Sequence, residues 1–249
     1  MWKTKASRTI FQSPSGIGVH QNLLYRWLTI NSNALQTLMN RHFPQRPALP
    51  YIQHFITPAR LNPGKCCLLG LGGGGVGHAL HQYMESSMMT AVEHNVEIIE
   101  IAKQYFFIER NKNLSNNNQD AMQFVQKSQS QFLHILVDLY NADSFPAHCA
   151  NQSFFSHCRR LLAINGVLAV NLPDLSQQKP LVHYIREAFS KHTLSLPVPG
   201  TANMIVLAIN ADTIQPLMDL LAKQFRKLIW NANWGYVAEL HFKPSCKNR

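Results

Sequence analysis

Acidic residues are scarce in this chain: 13 Asp and Glu stand against 23 Lys and Arg in 249 residues, a formal net charge of +10. This balance provides a long-range attraction for anions such as nucleic acid or acidic protein. The basic residues are scattered, however, with small clusters only at residues 2–8 and 243–249. Neither cluster interleaves aromatic and base-reading side chains, so we expect no nucleic-acid partner.

Cysteine pairs and long apolar runs are also missing. The five cysteines contain no C-x-x-C motif, and Cys66 and Cys67 are adjacent in an apolar run, which indicates reduced thiols in a cytoplasmic protein. No apolar run approaches bilayer length, so we expect no membrane segment. Histidines are plentiful, but His78 and His81 lack a carboxylate at metal-site spacing, so we expect no metal.

Short apolar runs alternate with helical patterns from residue 65 onward. This alternation predicts an α/β fold with a doubly wound, mostly parallel, seven-stranded sheet. The apolar runs at 192–200 and 203–210 are joined by a Pro-Gly turn that is too short for a parallel crossover, which predicts one antiparallel strand.

The two ends of the chain differ from this pattern. Alternating residues at 17–30 predict a β-hairpin within a small N-terminal β appendage, residues 1–47, and the main domain then covers 48–249 and opens with a helical pattern. Residues 212–230 predict an amphipathic helix that packs on the sheet or on a second subunit. With Trp230 and Trp234 nearby, a homodimer is one expectation.

A glycine-rich loop follows the first predicted strand: residues 66–80 read CCLLGLGGGGVGHAL. Gly70, Gly72 and Gly75 satisfy a G-x-G-x-x-G pattern, in which the missing side chains allow a tight strand-to-helix turn and a close approach of ligand to backbone. This loop predicts a nucleotide or nucleoside site.

Acidic residues follow three of the predicted strands, at the sheet edge where α/β proteins bind ligands. Glu93 lies eighteen residues beyond Gly75, a spacing at which a carboxylate can accept both hydroxyls of a ribose; a helix cap is the alternative. Asp120 either faces the pocket or caps the helix after it. Asp138 ends a strongly apolar strand and opens a loop, which favours a pocket role.

Two classes of nucleotide-binding fold compete for this pattern. A nicotinamide-binding Rossmann domain needs the glycine loop and an acid near Glu93, but it needs neither acids after the third and fourth strands nor an antiparallel final hairpin. An S-adenosylmethionine-type fold uses all four features. The sequence therefore favours an adenosyl-sulfonium ligand.

The ordered set of motifs resembles the spermidine synthase-like family, the aminopropyltransferase branch of the class I methyltransferase fold. The resemblance extends from about Gly16 to Asn210 and includes the N-terminal segment with Gln36, YIQHF, the glycine loop, VEHNVEIIEIAKQYF, DAMQFV and VDLYN. It implies a transferase that binds S-adenosylmethionine or its decarboxylated form and passes an aminopropyl or methyl group to an amine.

The resemblance also implies roles for individual residues. Glu93 would hold the ribose, Asp120 would face the adenine amino group, and Asp138 would be the catalytic acid near the reacting amine. The remaining implied donor contacts are Gln36, Gly70, Gly72, Gly73 and Gly75. The implied acceptor pocket consists of Tyr51, Tyr140, Asn141 and Asp143, and Gln53 is a further candidate beside Tyr51.

Two positions depart from the family pattern. The family's glycine loop reads GGGDGG, with an Asp for the aminopropyl ammonium, where this chain has Gly73; its fourth-strand loop reads DSSDP, where this chain has Asn141 at the second acid. These departures predict little or no spermidine synthesis from putrescine, and a gain of decarboxylated-donor binding in Gly73→Asp. The acceptor is then another small-molecule amine or a protein, and the alternatives are a methyltransferase or a non-catalytic binding relative.

Overall fold

A computed structural model describes residues 2–31, 35–84, 88–140 and 144–242, with the backbone alone at 175–178. Its N-terminal sheet is an antiparallel meander in chain order: β1 (Arg8–Gln12), β2 (Ile17–Gln21), β3 (Tyr25–Ile30) and β4 (Leu35–Asn40). Strands β2 and β3 form the predicted hairpin. The sequence analysis missed β4 because its apolar residues do not alternate strictly.

The second sheet has nine strands in the described part of the chain, in the order β12-β13-β10-β11-β9-β8-β5-β6-β7. Its strands are β5 (Cys66–Leu69), β6 (Met89–Glu93), β7 (Leu114–Asn118), β8 (Phe132–Val137), β9 (Leu162–Leu172), β10 (Thr193–Pro197), β11 (Met204–Ile209), β12 (Phe225–Asn231) and β13 (Gly235–Leu240). Strand β11 runs antiparallel to β9 and β10. The predicted seven-stranded class I methyltransferase-like sheet is therefore confirmed, and β12 and β13 extend it.

Eight α-helices are present among the described residues: α1 (Tyr51–Phe55), α2 (Thr57–Leu61), α3 (Gly75–His81), α4 (Val96–Phe106), α5 (Ala121–Lys127), α6 (Gln152–Arg160), α7 (Leu175–Ala188) and α8 (Gln215–Leu221). Helices α1 to α4 and α8 cover one face of the large sheet, and α5 to α7 cover the other. None of the helices in these residues has the length and apolarity to cross a bilayer.

The central strands are buried on both faces, as a parallel sheet between two helical layers requires. In β5, Cys66 packs into one core and Cys67 into the opposite one, because successive side chains of a strand point to opposite faces. Burial raises the pKa of both thiols. These cysteines are packing residues of the core.

The prediction of one helix over residues 212–230 was wrong in its second half. Helix α8 ends at Leu221, and β12 begins at Phe225. A hairpin turn after β12 favours strands over a continued helix here. In this turn the Asn231 side-chain oxygen accepts hydrogen bonds from the backbone N–H groups of Asn233 and Trp234. Gly235 follows with φ +72°. Trp230 is exposed on this hairpin and Trp234 is partly buried; the homodimer stays a prediction.

The N-terminal sheet packs against the main domain through helix α4. Val19 and Leu28 of the small sheet form one apolar cluster with Ile98, Ile101 and Phe106. This packing places β4 next to the glycine loop at the start of α3. The small sheet therefore forms one wall of the site described below.

One buried histidine makes the stability of this fold depend on pH. His134 on β8 is 1% exposed, and its Nε2 lies 2.7 Å from the carbonyl oxygen of Asn62, so Nε2 carries the proton of a neutral ring. Burial lowers the pKa of His134 to about 4. The unfolded chain binds the proton near pH 6.5, so stability present above that pH is lost as the pH falls toward 4.

We expect His134→Gln to remove roughly 2–4 kcal/mol of the pH dependence of unfolding between pH 7 and 4. The Gln amide can still donate to Asn62, so the loss at neutral pH is smaller. Urea unfolding at several pH values measures the effect, with His183→Gln on the exposed side of α7 as the matched control. An unchanged slope in His134→Gln contradicts the assignment.

Candidate functional site

A cavity of about 400 Å³ lies at the carboxyl ends of β5, β6 and β8, under β4 of the small sheet. It is the place where ligands bind in open α/β sheets. Most of the predicted site residues line it together: Gln36, Tyr51, Gly70, Gly72, Gly75, Glu93, Asp120, Asp138 and Tyr140. The side chains that the sequence places far apart thus face one chamber.

Gly70 allows the glycine loop to turn into this chamber. It has φ +94°, and a Cβ atom there would collide with the backbone carbonyl oxygen of Asp138. The residue at the end of β5 must therefore be glycine for both the turn and the close approach to the end of β8. The two loops that carry the predicted donor and acceptor contacts are in direct contact as a result.

Glu93 is fixed by the backbone around it. Its side chain is 7% exposed; Oε2 accepts a hydrogen bond from the Leu71 N–H at 3.2 Å, and Oε1 accepts one from the Asn95 N–H at 3.0 Å. The helix-cap alternative is wrong, because Asn95 caps α4 through its own side chain. Nδ1 of the exposed His94 ring also lies 3.2 Å from Oε1, so Oε2 is the oxygen that keeps a lone pair for a ligand hydroxyl.

Thr37 on β4 occupies the space beside Gly73. The Gly73 N–H donates to Thr37 Oγ1 at 2.8 Å, and a Cβ on Gly73 would lie 2.8 Å from Thr37 Cγ2 and 3.1 Å from Phe106 Cδ1. Gly73 itself does not line the cavity. The ligand contact of Gly73 stays a prediction, and the new side chain of the single variant Gly73→Asp would overpack against Thr37 and Phe106.

Asp120 has both of the functions that the sequence left open. Its Oδ1 caps α5 by accepting from the Gln123 N–H at 3.0 Å, while Oδ2 lies 2.8 Å from Nε2 of His148 at the cavity rim. Burial acts to raise the pKa of Asp120, but the Gln123 N–H and the His148 ring outweigh it, and the net pKa is lowered. Asp120 is therefore a carboxylate that already has a partner.

Cys149 also borders the cavity, next to the Asp120 contact. Burial raises the pKa of its thiol to about 12, and the negative charge of Asp120 acts in the same direction. A thiol in this state is a poor nucleophile at neutral pH. Cys149 packs in the apolar cluster on this face of the sheet.

Asp138 is held from two sides. The Tyr51 hydroxyl donates to Oδ2 at 2.6 Å, and the Asn171 side-chain amide donates to Oδ1 at 2.9 Å. Burial raises the pKa of Asp138, and these two donors pull it back toward the ionised form. Burial, followed by the charge of Asp138, raises the pKa of Tyr51 well above its usual range, so its hydroxyl remains a donor.

Behind Asp138 lies a chain of amides that the sequence analysis missed. The Asn203 amide donates to Oδ1 of Asn171 at 2.9 Å, which directs the amide nitrogen of Asn171 at Asp138. Tyr140 donates to the backbone carbonyl of Asn171 at 2.8 Å. Asn171 lies near the carboxyl end of a strand, where site residues are expected, so it could have been predicted from the sequence. Nothing in the sequence marks Asn203 in this way.

Two predicted contacts cannot be placed, and a third candidate, Gln53, does not reach the cavity. Asn141 and Asp143 lie outside the described residues. Gln53 lies on the exposed side of α1 and does not line the cavity, because it points away from Tyr51 on the same short helix. Thr37 and His148 were missed, since both act through contacts with residues distant in the sequence.

The architecture and this chamber define a class I methyltransferase-like protein with a small N-terminal sheet. The spermine/spermidine synthase domain model matches residues 50–205. The chain belongs to the spermine/spermidine synthase family.

Individual relatives are distant. The chain is 23% identical to the polyamine aminopropyltransferase of Neisseria meningitidis serogroup A over 218 residues, which cover 85% of this chain and 82% of that protein. It is 29% identical to the eEF1A lysine and N-terminal methyltransferase homolog of Drosophila melanogaster over 114 residues, 42% of this chain and 17% of that one. The crystal structure of spermidine synthase from Thermotoga maritima superposes with a TM-score of 0.68 at 19% identity, over 88% and 79% of the two chains.

Proposed function

We propose that this protein transfers an alkyl group from an adenosyl sulfonium donor to an amine. The observation that carries the proposal is that one cavity joins a ribose-type acid, Glu93, to a buried, doubly hydrogen-bonded acid, Asp138. The polyamine aminopropyltransferase and the methyltransferase homolog among its relatives have names that fit the two forms of this reaction.

The residues present fit an adenosyl ligand. Glu93 is oriented by two backbone N–H groups; Oε2 can accept from one ribose hydroxyl, and Oε1 can accept from the other in place of the exposed His94 ring. The glycine loop next to Glu93 lets a ligand approach the backbone. Asp120 lies on the same cavity, where it would accept from the adenine amino group in exchange for, or beside, His148. The donor supplies a carbon activated by a sulfonium, which leaves as a neutral thioether when the new C–N bond forms.

Asp138 acts on the amine. A neutral amine is the nucleophile, and the carboxylate both orients it and accepts the proton that the nitrogen loses on alkylation. Burial raises the pKa of Asp138, which makes it a stronger base than an exposed Asp. Tyr51 and Asn171 position the carboxylate and keep it ionised before the amine arrives.

A specific observation favours methyl transfer from S-adenosylmethionine as the second form of this function. The family's Asp for the aminopropyl ammonium is replaced by Gly73, and Thr37 fills the adjacent space. Without a paired acid, the ammonium of the decarboxylated donor would be desolvated without compensation there. The net charge of +10 also disfavours a polycationic acceptor.

The released thioether tests the proposal and separates its two forms. Aminopropyl transfer releases methylthioadenosine, and methyl transfer releases S-adenosylhomocysteine, whatever the acceptor is. The full-length protein is incubated with each donor and either putrescine or a protein extract, and both thioethers are quantified by mass spectrometry. Absence of both products despite donor binding by calorimetry would support the non-catalytic alternative.

We expect the double variant Thr37→Ser/Gly73→Asp to shift the donor preference toward decarboxylated S-adenosylmethionine by about tenfold or more. Serine removes Cγ2, the nearest atom to the new side chain, and keeps the hydroxyl that accepts from the residue 73 N–H. Paired calorimetric affinities for the two donors measure the shift. Thr37→Ser alone is the control, and equal affinities in the double variant and in this control contradict the prediction.

A further inference from the structure

A second cavity, of about 440 Å³, shares none of its lining residues with the donor chamber. Three separate segments form it: the turn after β4, the carboxyl end of α3, and the 3-10 turn after α4. Each segment contributes cationic or imidazole side chains: Arg41, His42, His78, His81 and Arg110. This cavity takes no part in the proposed alkyl transfer.

No Asp or Glu is found among the described residues that line this cavity. Glu109, the chain neighbour of Arg110, lies outside it. Burial lowers the pKa of His78; its hydrogen bond to the Phe106 carbonyl opposes this shift, and the positive charges of His81 and Arg110 add to it. Such a concave cationic surface concentrates its positive potential on whatever enters it.

The side chains around the cavity are oriented. His81 Nδ1 lies 2.9 Å from Oδ1 of Asn111, whose amide nitrogen donates to the Gly77 carbonyl, so Nδ1 of His81 is the donor. Nε2 can donate to an anion only when the ring is protonated. Arg41 donates from one terminal nitrogen, Nη1, to the backbone carbonyls of Asn22 and Leu23, which fixes its guanidinium at the cavity.

The Arg110 guanidinium packs on the ring of Phe107, a residue with an unusual backbone conformation. Its guanidinium lies 4.5 Å from the ring centroid of Phe107, which has φ +58°, a left-handed conformation that glycine usually takes at a helix end. Arg26 lies 5.3 Å from the same ring. The ring is thus engaged by two cations, which leaves little aromatic surface for stacking a ligand base.

We propose that this cavity binds a small anion that bears two or more phosphate groups. Guanidinium groups match phosphate oxygens through paired hydrogen bonds, and the two arginines of the lining, Arg41 and Arg110, come from separate segments of the chain. The cavity volume of about 440 Å³ leaves room for more than one phosphate group with its bound water, at about 30 Å³ for each water molecule. The anion attraction implied by the net charge of +10 then has a specific location.

The site is tested by calorimetric titration of the full-length protein with pyrophosphate, at about 150 mM salt so that unspecific attraction is screened. We expect saturable one-to-one binding, with inorganic phosphate at least about tenfold weaker. Arg110→Gln and Arg41→Gln should each weaken pyrophosphate about tenfold. Arg226→Gln, on exposed β12, removes the same charge elsewhere and should change the affinity less than about twofold.

Two results would overturn the proposal. One is a lack of saturable pyrophosphate binding by the wild type. The other is an equal loss in Arg226→Gln and Arg110→Gln, which would mean that net charge alone attracts the anion. Arg110 is the primary position, because its side chain makes no described hydrogen bond that the fold depends on, and Arg41 is an independent second one. The readout is binding, so the outcome does not depend on the alkyl-transfer proposal.

Discussion

Asp138→Asn should lower kcat for alkyl transfer by about 10²–10⁴-fold, the range associated with loss of a general base. The amide has the shape of the carboxylate but accepts no proton at neutral pH. The Tyr51 hydroxyl can rotate to accept from the new amide nitrogen, which leaves the remaining oxygen for the Asn171 donor. The network and the fold should therefore persist while the chemistry is lost.

Thioether release under single-turnover conditions measures this loss, with donor affinity measured in parallel. Donor affinity should change little, and Asp219→Asn, exposed on α8, is the matched control. Because burial raises the pKa of Asp138, kcat should fall on the acid side at a higher pH than the pKa of an ordinary Asp would give. Tyr51→Phe removes a hydrogen-bond donor that lowers the pKa of Asp138, so the acid-side fall of kcat should move to still higher pH. Retention of wild-type kcat in Asp138→Asn would exclude the base role.

The features predictable from the sequence share a local origin. Buried strands such as β8 appear as short apolar runs, and the residue after each run lies at the binding edge of a parallel sheet. Glu93, Asp120 and Asp138 could therefore be placed in one site without any knowledge of their contacts. The glycine loop is equally local, because a turn that passes the end of β8 excludes a side chain at Gly70.

The missed features depend on contacts between distant segments. Thr37 matters only because the small sheet packs on α4 and brings β4 to Gly73, and His148 matters because its loop reaches Asp120. No spacing rule carries such information. The C-terminal error has another cause: residues 225–230 fit a helical period equally well, and the hairpin is selected by the turn at Asn231 and by pairing with β13.

This division also explains how the family's site has changed in this chain. The acids on the sheet edge, Glu93 and Asp138, are present with their supporting contacts. The departure from the family pattern lies where the N-terminal sheet meets the glycine loop. Gly73 and Thr37 form a matched pair: the residue that lacks a side chain faces the residue that fills the space. We therefore expect that a change of the proposed donor requires substitutions in both segments.

Glu93→Gln should weaken binding of every adenosyl ligand by about 30–1000-fold, equivalent to roughly 2–4 kcal/mol. The amide nitrogen must replace one carboxylate oxygen, so it faces the N–H of either Leu71 or Asn95 and leaves that donor without an acceptor. Glu93→Ala removes both acceptors and should also destabilise the fold, which makes Gln the cleaner test.

The measurement is calorimetric titration with S-adenosylmethionine, its decarboxylated form and methylthioadenosine. All three carry the same ribose, so Glu93→Gln should weaken them by similar factors, whereas the Thr37→Ser/Gly73→Asp variant should separate the first two. Glu100→Gln, exposed on α4 and paired with Lys103, removes the same charge and should leave all three affinities unchanged. Wild-type affinity for methylthioadenosine in Glu93→Gln would show that the ribose is held elsewhere, and the donor-binding half of the proposed function would then fail.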